Sequence, residues 1–469
     1  MKYVSTRGGG QPKNFDEVIL TGLAPDGGLY VPNSIPRFSI SDIEAWKKLS
    51  YKQLAFEVMQ PFIGDCIPEE DLINLIDTAY SSFNHSATAP LTQTGHNEWV
   101  LELFHGPTLA FKDFALQFLG QLLNYVLKRK NKKVVIMGAT SGDTGSAAIE
   151  GCRDCDNMKM FILHPYQRVS EVQRRQMTTV LSANVFNIAL KGNFDDCQNM
   201  VKACFRNQSF LPHKLQLVAV NSINWARIMA QIVYYFWAAL HLDVRSNFIS
   251  FSVPTGNFGD VFAGYIASKM GLPIKQLVIA TNSNDILHRC LSDNDHSIRP
   301  LKQTLAPSMD IMISSNFERL LFDVHGRDGA FVVKLMEESQ KGTLKLADEV
   351  RFVIQQLFTT YRCDNHEMLE MIRTLNKNNG YLLDPHSAIG LSAARRCRVD
   401  IETPMVSLAT AHPAKFPDAV KQAGFAEAAC LPDHLDDLFL RTEHMHILEN
   451  NQVEVQKFMA DRVSDLAEI

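Results

Sequence analysis

Lys112 is the residue whose neighbours most clearly indicate chemistry in this 469-residue chain. It lies between Phe111 and Phe114, in a segment rich in aromatic and aliphatic side chains. Such neighbours keep water away from an amine, and desolvation disfavours the charged ammonium form. A neutral lysine amine is a nucleophile that can form an imine with an aldehyde. Lys112 is therefore a candidate for covalent catalysis.

Two glycine-rich loops further along the chain could hold a phosphate group. They span residues 138–145 and 254–260, and each follows a short apolar run and precedes a helical pattern. Backbone N–H groups at such a strand-to-helix junction bind anions. Neither loop has the spacing of a nucleotide-binding motif, and a plain tight turn is the alternative interpretation of each.

Two other segments place polar side chains where strands should end. Asn221, Ser222 and Arg227 follow one apolar run and open the apolar helix predicted over residues 228–242. Ser222 and Arg227 could bind an anion because a guanidinium offers a forked set of donors. Taken alone, the segment favours the simpler interpretation, in which Asn221 or Ser222 caps the helix and Arg227 is an exposed first-turn residue. Thr410 supplies a hydroxyl at the end of a late apolar run.

These loops need a scaffold, and a regular alternation of strands and helices begins near residue 99. Short apolar runs alternate with helical patterns, which predicts α/β domains with mainly parallel sheets covered on both faces. In open α/β sheets, ligands bind at the carboxyl ends of the strands, so the loops should meet there. The first ~95 residues are turn-rich and then helical, and they predict a separate N-terminal unit.

Composition limits the possible classes of function. The chain is 46% hydrophobic and carries a net charge of −5, so it has no basic footprint for nucleic acid. Nine scattered cysteines argue against a disulfide framework and for a reducing compartment, and we expect a cytoplasmic protein. The apolar stretch 228–242 is too short to span a bilayer. No metal is expected, because Cys152 and Cys155 have no second pair of ligands nearby in the sequence.

Taken together, these motifs resemble those of the threonine synthase family, in its longer bacterial and fungal branch. The matching segments follow that family's order over most of the chain, at residues 3–7, 25–30, 106–113, 138–145, 221–227, 256–260, 384–388 and 410–416. The resemblance implies an α/β fold of type II among pyridoxal-phosphate enzymes. Two open, mainly parallel α/β domains would flank a cofactor cleft, with a small N-terminal domain beside them.

The implied domain organisation has three parts. Residues 1–95 form the N-terminal domain, residues 96–220 the smaller α/β domain, and residues 221–469 the larger one. The larger domain carries a helical elaboration near residues 292–379. The two α/β domains could exchange segments, and the oligomeric state is left open between monomer and homodimer.

The resemblance also implies roles for single residues. Lys112 corresponds to the lysine that forms the imine with pyridoxal 5′-phosphate, Asp143 faces the cofactor's 3′-oxygen, and Thr410 partners its pyridine nitrogen. The loop that holds the cofactor phosphate corresponds to Gly256, Asn257, Phe258, Gly259 and Asp260. The groups that bind substrate correspond to Thr140, Ser141, Thr144, Asn221, Ser222 and Arg227.

The implied reaction converts O-phospho-L-homoserine and water into L-threonine and phosphate, the last step of threonine biosynthesis. A related phospho-lyase that yields 2-oxobutyrate is the second reading, but residues 106–112 and 256–260 match the synthase form. Dehydration of serine or threonine is third, because residues 221–227 match a site for a phosphorylated substrate. A non-catalytic binding protein is disfavoured by the intact Lys112 and Thr410.

Overall fold

The computed structural model describes residues 1–242 and 248–467 of the chain. Its β-strands are, in chain order, β1 (Lys2–Ser5), β2 (Lys13–Asn14), β3 (Tyr30–Pro32), β4 (Leu91–Gly95), β5 (Glu98–Glu102), β6 (Val134–Ala139), β7 (Met158–Pro165), β8 (Val185–Leu190), β9 (Leu217–Val218), β10 (Ile249–Pro254), β11 (Ile274–Thr281), β12 (Phe358–Arg362), β13 (Met405–Ala409) and β14 (His446–Leu448). Its α-helices are α1 (Phe15–Thr21), α2 (Ile40–Ala45), α3 (Tyr51–Ile63), α4 (Glu69–Ser81), α5 (Lys112–Lys130), α6 (Asp143–Cys152), α7 (Glu171–Thr178), α8 (Phe194–Arg206), α9 (Trp225–His241), α10 (Gly259–Lys269), α11 (Ile286–Asp293), α12 (Phe317–Val324), α13 (Gly329–Lys341), α14 (Asp348–Gln355), α15 (Asn365–Asn379), α16 (Pro385–Cys397), α17 (Pro417–Gln422) and α18 (Gln452–Ala467).

The strands form three sheets. The N-terminal sheet, in the order β2-β1-β3, is antiparallel. A five-stranded sheet in the order β14-β8-β7-β6-β9 is parallel throughout. A six-stranded sheet in the order β12-β11-β10-β13-β5-β4 is parallel except at its β4 edge. The predicted class, two mainly parallel α/β units with a smaller N-terminal unit, is confirmed.

The two parallel sheets exchange segments of the chain. Residues 91–102 supply β4 and β5 to the six-stranded sheet, whose other strands all follow residue 248. Residues 446–448 supply β14 to the five-stranded sheet, although they lie near the C-terminal end. Sheet membership therefore does not follow the predicted divisions of 1–95, 96–220 and 221–469, because packing between segments distant in sequence decides which strands pair. As independent domains, those three ranges stay a prediction.

Helix α9 is the central buried element of the fold. Every residue from 225 to 240 is buried, and the helix packs against α3, α5 and α10. Such an all-round apolar helix belongs inside a protein, as the sequence predicted for 228–242. Among the described residues, no helix combines the length and apolar character needed to cross a membrane.

A close contact between α5 and α6 brings their first residues together. A Cβ atom added at Gly120 of α5 would lie 1.8 Å from the carbonyl oxygen of Gly151 on α6, and one added at Gly151 would lie 2.3 Å from the carbonyl oxygen of Leu116. Any larger residue at these two glycines would force the helices apart. The N-terminal residues of these helices are Lys112 and Asp143, so the contact fixes the distance between two candidate site residues.

Candidate functional site

A pocket lies between the two parallel sheets, at the carboxyl ends of β6, β10 and β13. The predicted site residues in its wall are Lys112, Asp143, Thr144, Ser222, Arg227, Gly256, Asn257, Phe258, Gly259, Asp260 and Thr410. These residues come from loops that are far apart in sequence, and the sheets bring them to one edge as expected for this architecture.

The turn before Lys112 is held by a buried carboxylate. Asp113 accepts hydrogen bonds from the backbone N–H of Thr108 at 2.9 Å and from its hydroxyl at 2.7 Å. Leu109 takes a left-handed backbone conformation with φ of 61°, which is rare for a bulky residue. The N–H of Phe111 donates to the carbonyl of Thr410 at 2.9 Å. The turn therefore joins the start of α5 directly to the end of β13.

The Lys112 amine is held in a largely water-free position. Its side chain is 12% exposed, and its Nζ lies 3.1 Å from Asp143 Oδ2 and 4.9 Å from the centre of the Phe111 ring. Burial lowers the pKa of Lys112, the Asp143 carboxylate opposes that change, and the positive charges of Lys415 and Arg227 add to the lowering. The structure thus produces the desolvated lysine that the sequence indicated.

Asp143 is the point where both sides of the pocket meet. Its Oδ2 accepts from Lys112 and from the Ser308 hydroxyl at 2.9 Å. Its Oδ1 accepts from Gln173 Nε2 at 2.8 Å and lies 3.0 Å from Lys415 Nζ. Burial alone would raise the pKa of this carboxyl, but Lys112 and then Lys415 hold it well below its usual range. Asp143 is therefore ionised throughout the physiological range.

The loop at residues 256–260 presents free backbone donors to the pocket. Among the described residues, no acceptor is hydrogen-bonded to the N–H groups of Gly256, Asn257, Phe258, Gly259 or Asp260. The first N–H groups of a helix have no acceptor within it, but here the unpaired row begins three residues before α10, at Gly256. Such a row of donors at the start of a helix suits a phosphate.

Packing and hydrogen bonds hold this loop in a strained shape. Phe258 has φ of 64° and is buried against the rings of Phe317 and Phe358. The hydroxyl of Ser314 donates to the Gly256 carbonyl at 2.7 Å, and the Asn316 amide donates to the Asn257 carbonyl at 2.8 Å. Strain of this kind persists only where the surroundings enforce it.

Asp260 faces away from this row of donors, towards α9. Its Oδ1 accepts from the hydroxyls of Tyr234 at 2.6 Å and Tyr235 at 3.0 Å. Its Oδ2 has no hydrogen-bond partner among the described residues. Burial raises the pKa of Asp260 to about 6, against the lowering by the two tyrosine hydroxyls.

Arg227 is a buried cation without an anion. The residue is 3% exposed, and its Nε and Nη1 have no hydrogen-bond partner among the described residues. Burial lowers the pKa of Arg227 to about 10, which still leaves it charged at neutral pH. An unpaired buried charge is costly, so its presence in the pocket wall beside Ser222 indicates a site for an anionic ligand.

Thr410 is fixed by the start of α16. Its N–H donates to the Ser387 hydroxyl at 3.0 Å, and that hydroxyl is in turn hydrogen-bonded to Asp384. His386 uses Nδ1 towards Asp384 at 2.8 Å, and its Nε2 accepts from the N–H of Ser308 at 3.1 Å. The segment 384–387 therefore positions both Thr410 and the loop that carries Ser308.

Three predicted substrate residues lie outside the pocket wall. The hydroxyl of Thr140 is buried and accepts from the N–H groups of Gly142 and Gly145, so it shapes its own loop. Ser141 is exposed. Asn221 is also exposed, and its side chain accepts from the N–H of the residue two positions later. Their contacts with substrate stay a prediction.

Several residues that the structure brings to the pocket had no role predicted from the sequence. Gln231, Ser308, Met309 and His386 line it, and Lys415 lies directly behind Asp143. His386 could have been found, because it follows an Asp-Pro pair that marks a helix start. Ser308 gave no signal, since it lies in an irregular segment without hydrophobic periodicity.

Three family models match successive parts of the chain. They are described as "Threonine synthase N terminus" over residues 2–80, "Pyridoxal-phosphate dependent enzyme" over residues 85–356, and "Threonine synthase, C-terminal" over residues 387–459. Together they cover most of the chain, including both loops and the lysine segment.

Full-length relatives give the same result. A threonine synthase of Pseudomonas aeruginosa is 57% identical over 461 residues, which cover 98% of each chain. The crystal structure of a PLP-bound threonine synthase from Brucella melitensis has a TM-score of 0.96 at 50% identity and covers 99% of this chain and 100% of that one. The threonine synthase structure from yeast has a TM-score of 0.93 at 40% identity and covers 99% of both chains.

Proposed function

The chain belongs to the threonine synthase family, and from this premise we propose that it converts O-phospho-L-homoserine and water into L-threonine and phosphate. One observation carries the proposal: the pocket around Lys112 holds two separate groups for anions. They are the free N–H donors of residues 256–260 and the unpartnered guanidinium of Arg227. A phosphorylated substrate that reacts with a phosphorylated cofactor needs two such groups.

The residues of the pocket fit pyridoxal 5′-phosphate, the cofactor of the family. The donors of residues 256–260 would hold its phosphate, Lys112 would bind its aldehyde carbon, and Asp143 and Thr410 would face its 3′-oxygen and its ring nitrogen. When bound, this cofactor supplies an aldehyde that condenses with amines and a ring that spreads negative charge from the adjacent carbon. A neutral hydroxyl such as that of Thr410 would favour an uncharged ring nitrogen.

Lys112 is the residue that moves protons in this proposal. A neutral amine is a base, and burial favours the neutral form of Lys112. Released from the cofactor aldehyde, it would take the proton from the substrate Cα. The contact with Asp143 Oδ2 fixes the direction of the amine while it does so.

Arg227 and Ser222 would hold the substrate phosphate, with Thr144 at the same wall. Phosphate leaves from Cγ before water adds at Cβ, so this anion site has to keep the released phosphate and exclude other water until then. The hydrogen bond from Ser308 to Asp143 joins the six-stranded side of the pocket to the five-stranded side, and it would help to keep the site closed. Additional contacts of Thr140, Ser141 and Asn221 belong to the proposal as predictions.

Product analysis tests the function. The purified protein, loaded with pyridoxal 5′-phosphate, is given O-phospho-L-homoserine, and threonine, phosphate and 2-oxobutyrate are measured together. Threonine and phosphate should appear in equal amounts. Phosphate with 2-oxobutyrate and no threonine would mean elimination without controlled hydration, and no product at all would favour a binding protein. Lys112→Ala, which removes the amine alone, should form no threonine.

We also propose that the protein works in the cytoplasm. All nine cysteines are free thiols, and Cys152 and Cys155 are buried without being bonded to each other. Burial raises the pKa of Cys155 to about 11, so this thiol is unreactive. A protein with nine reduced cysteines suits a reducing compartment.

A further inference from the structure

Lys415 is a second lysine on the carboxylate that contacts Lys112. It is completely buried, and its Nζ lies 3.0 Å from Asp143 Oδ1. Lys112 approaches the other oxygen, Oδ2, at 3.1 Å. One buried anion therefore faces two buried cations, and only Lys112 belongs to the proposed chemistry.

We propose that Lys415 is a positioning residue that keeps Asp143 ionised and in place while the Lys112 amine is neutral. The inference rests on the proposed role of Lys112. When Lys112 reacts with the cofactor aldehyde, its nitrogen forms a C=N bond and the aldehyde oxygen leaves as water. For this reaction the Lys112 ammonium first has to release a proton to solvent, and Asp143 has then lost one of its two cations. A buried carboxylate without a cation takes up a proton. Lys415 remains as its counterion.

The other partners of Asp143 cannot take over this role. Ser308 and Gln173 donate hydrogen bonds to its oxygens, but both are neutral. Lys415 has no other acidic partner within ion-pair distance in the described part of the chain. Its ammonium also donates to the Thr108 carbonyl at 2.6 Å, which orients it from the turn that precedes Lys112.

The position of Lys415 also affects the reactivity of Lys112. The positive charge of Lys415 repels a proton on Lys112, and Lys415 also pairs with the carboxylate that would otherwise stabilise the Lys112 ammonium. Both effects lower the pKa of the Lys112 amine. Without Lys415, the whole charge of Asp143 would act on Lys112 and hold it as an ammonium. His386 and Arg227 also face this group of charges, as do two buried carboxyls, Asp113 towards Lys415 and Asp260 towards Lys112.

The test measures how fast the apoprotein reacts with added pyridoxal 5′-phosphate, followed by the visible absorbance of the product, as a function of pH. In Lys415→Met, the midpoint of the pH profile should move upward by about one pH unit, and the rate at neutral pH should fall about tenfold. Lys415→Arg keeps the charge and should restore the wild-type midpoint. A Lys415→Met profile with the wild-type midpoint would overturn the inference.

Two controls separate charge from packing. Gln173→Leu removes a neutral donor from the same oxygen that Lys415 approaches, so its midpoint should not move. An equal shift in Gln173→Leu and Lys415→Met would show that hydrogen bonding and not charge is responsible, which would also overturn the inference. The Thr108 carbonyl keeps a bond from Gln176 Nε2 at 3.1 Å in Lys415→Met. Lys415→Gln, which retains a donor, is measured beside it so that the result does not depend on one variant folding.

Lys112→Ala distinguishes this inference from the function on which it rests. If Lys112→Ala still produces the absorbance change, the proposed role of Lys112 is wrong. If Lys112→Ala abolishes the change while Lys415→Met leaves the midpoint unmoved, the role of Lys112 stands and only the inference about Lys415 fails.

Discussion

Two buried arginines differ in whether their hydrogen-bond donors are paired within the protein. Arg319, a residue of α12, is completely buried and donates to the carbonyls of Tyr30 and Ile223 and to the Asn316 side chain. Arg227, in the pocket wall, is 3% exposed, and its Nε and Nη1 have no partner among the described residues. Burial lowers the pKa of both, to about 9 for Arg319 and to about 10 for Arg227.

The difference separates a region that holds the fold from the proposed ligand site. At Arg319 the donors are paired within the protein, so the free energy of desolvation is offset in the free protein. At Arg227 and along residues 256–260 the donors stay open, so that cost is offset only when an anion binds. The same residue type is thus paired within the fold at Arg319 and left open at Arg227, where we propose a ligand site.

Arg319→Met removes the arginine whose donors are paired within the fold, and it should have the largest effect on stability. The substitution leaves the Tyr30 and Ile223 carbonyls and the Asn316 side chain without this donor, and the free energy of unfolding should fall by about 3–5 kcal/mol. Denaturant unfolding of the free protein measures it. Asn316 also donates to the carbonyls of Asn257 and Ser222, so phosphate binding should weaken as well. An unfolding free energy equal to that of the wild type would show that Arg319 is not structural.

Arg227→Met should weaken substrate binding without destabilising the fold. The substitution removes a buried charge that has no partner, so the free protein should be as stable as the wild type or more stable. The KM for O-phospho-L-homoserine should rise about a hundredfold, because the substrate phosphate loses its cation. Steady-state kinetics and unfolding are compared with those of Arg319→Met. Equal loss of pyridoxal 5′-phosphate affinity would place Arg227 at the cofactor phosphate instead.

Local patterns in the sequence were enough to predict the scaffold of the site. The apolar runs before the two glycine-rich loops are β6 and β10, and the late run that ends at Thr410 is β13. Every residue of β10 and β13 is buried, including their serines, because both faces of a parallel sheet are covered. Strands β8, β12 and β14 were not predicted. Strand β12 lies in the segment 292–379, whose pattern is mostly helical.

Contacts within the site depend on packing that no local pattern records. Lys112 and Asp143 were both predicted, but their 3.1 Å contact depends on the crossing of α5 and α6 at two glycines. Lys415 was part of a recognised segment, yet nothing in its neighbours shows that it reaches Asp143. The sequence therefore predicts which loops form the site better than it predicts which side chains pair within it.

Asp260 combines both kinds of environment in one side chain, and it offers the smallest and sharpest test. Its Oδ1 is paired with two tyrosine hydroxyls, while its Oδ2 has no partner among the described residues. Because the pKa of Asp260 is raised from 3.8 to about 6, its contribution to stability is fully present below pH 4 and is lost as the pH rises through 6. Asp260→Asn keeps an acceptor for the tyrosines and cannot ionise. Relative to the wild type, the variant should therefore gain about 2 kcal/mol in unfolding free energy between pH 4 and pH 7.

Denaturant unfolding of both free proteins across this range checks the sign. The difference in unfolding free energy between variant and wild type could instead narrow as the pH rises, or the variant could be less stable at both pH 4 and pH 7. Either result would mean that Asp260 is ionised and paired in the fold, and that the side of the loop at residues 256–260 that faces α9 has no unpaired polar group.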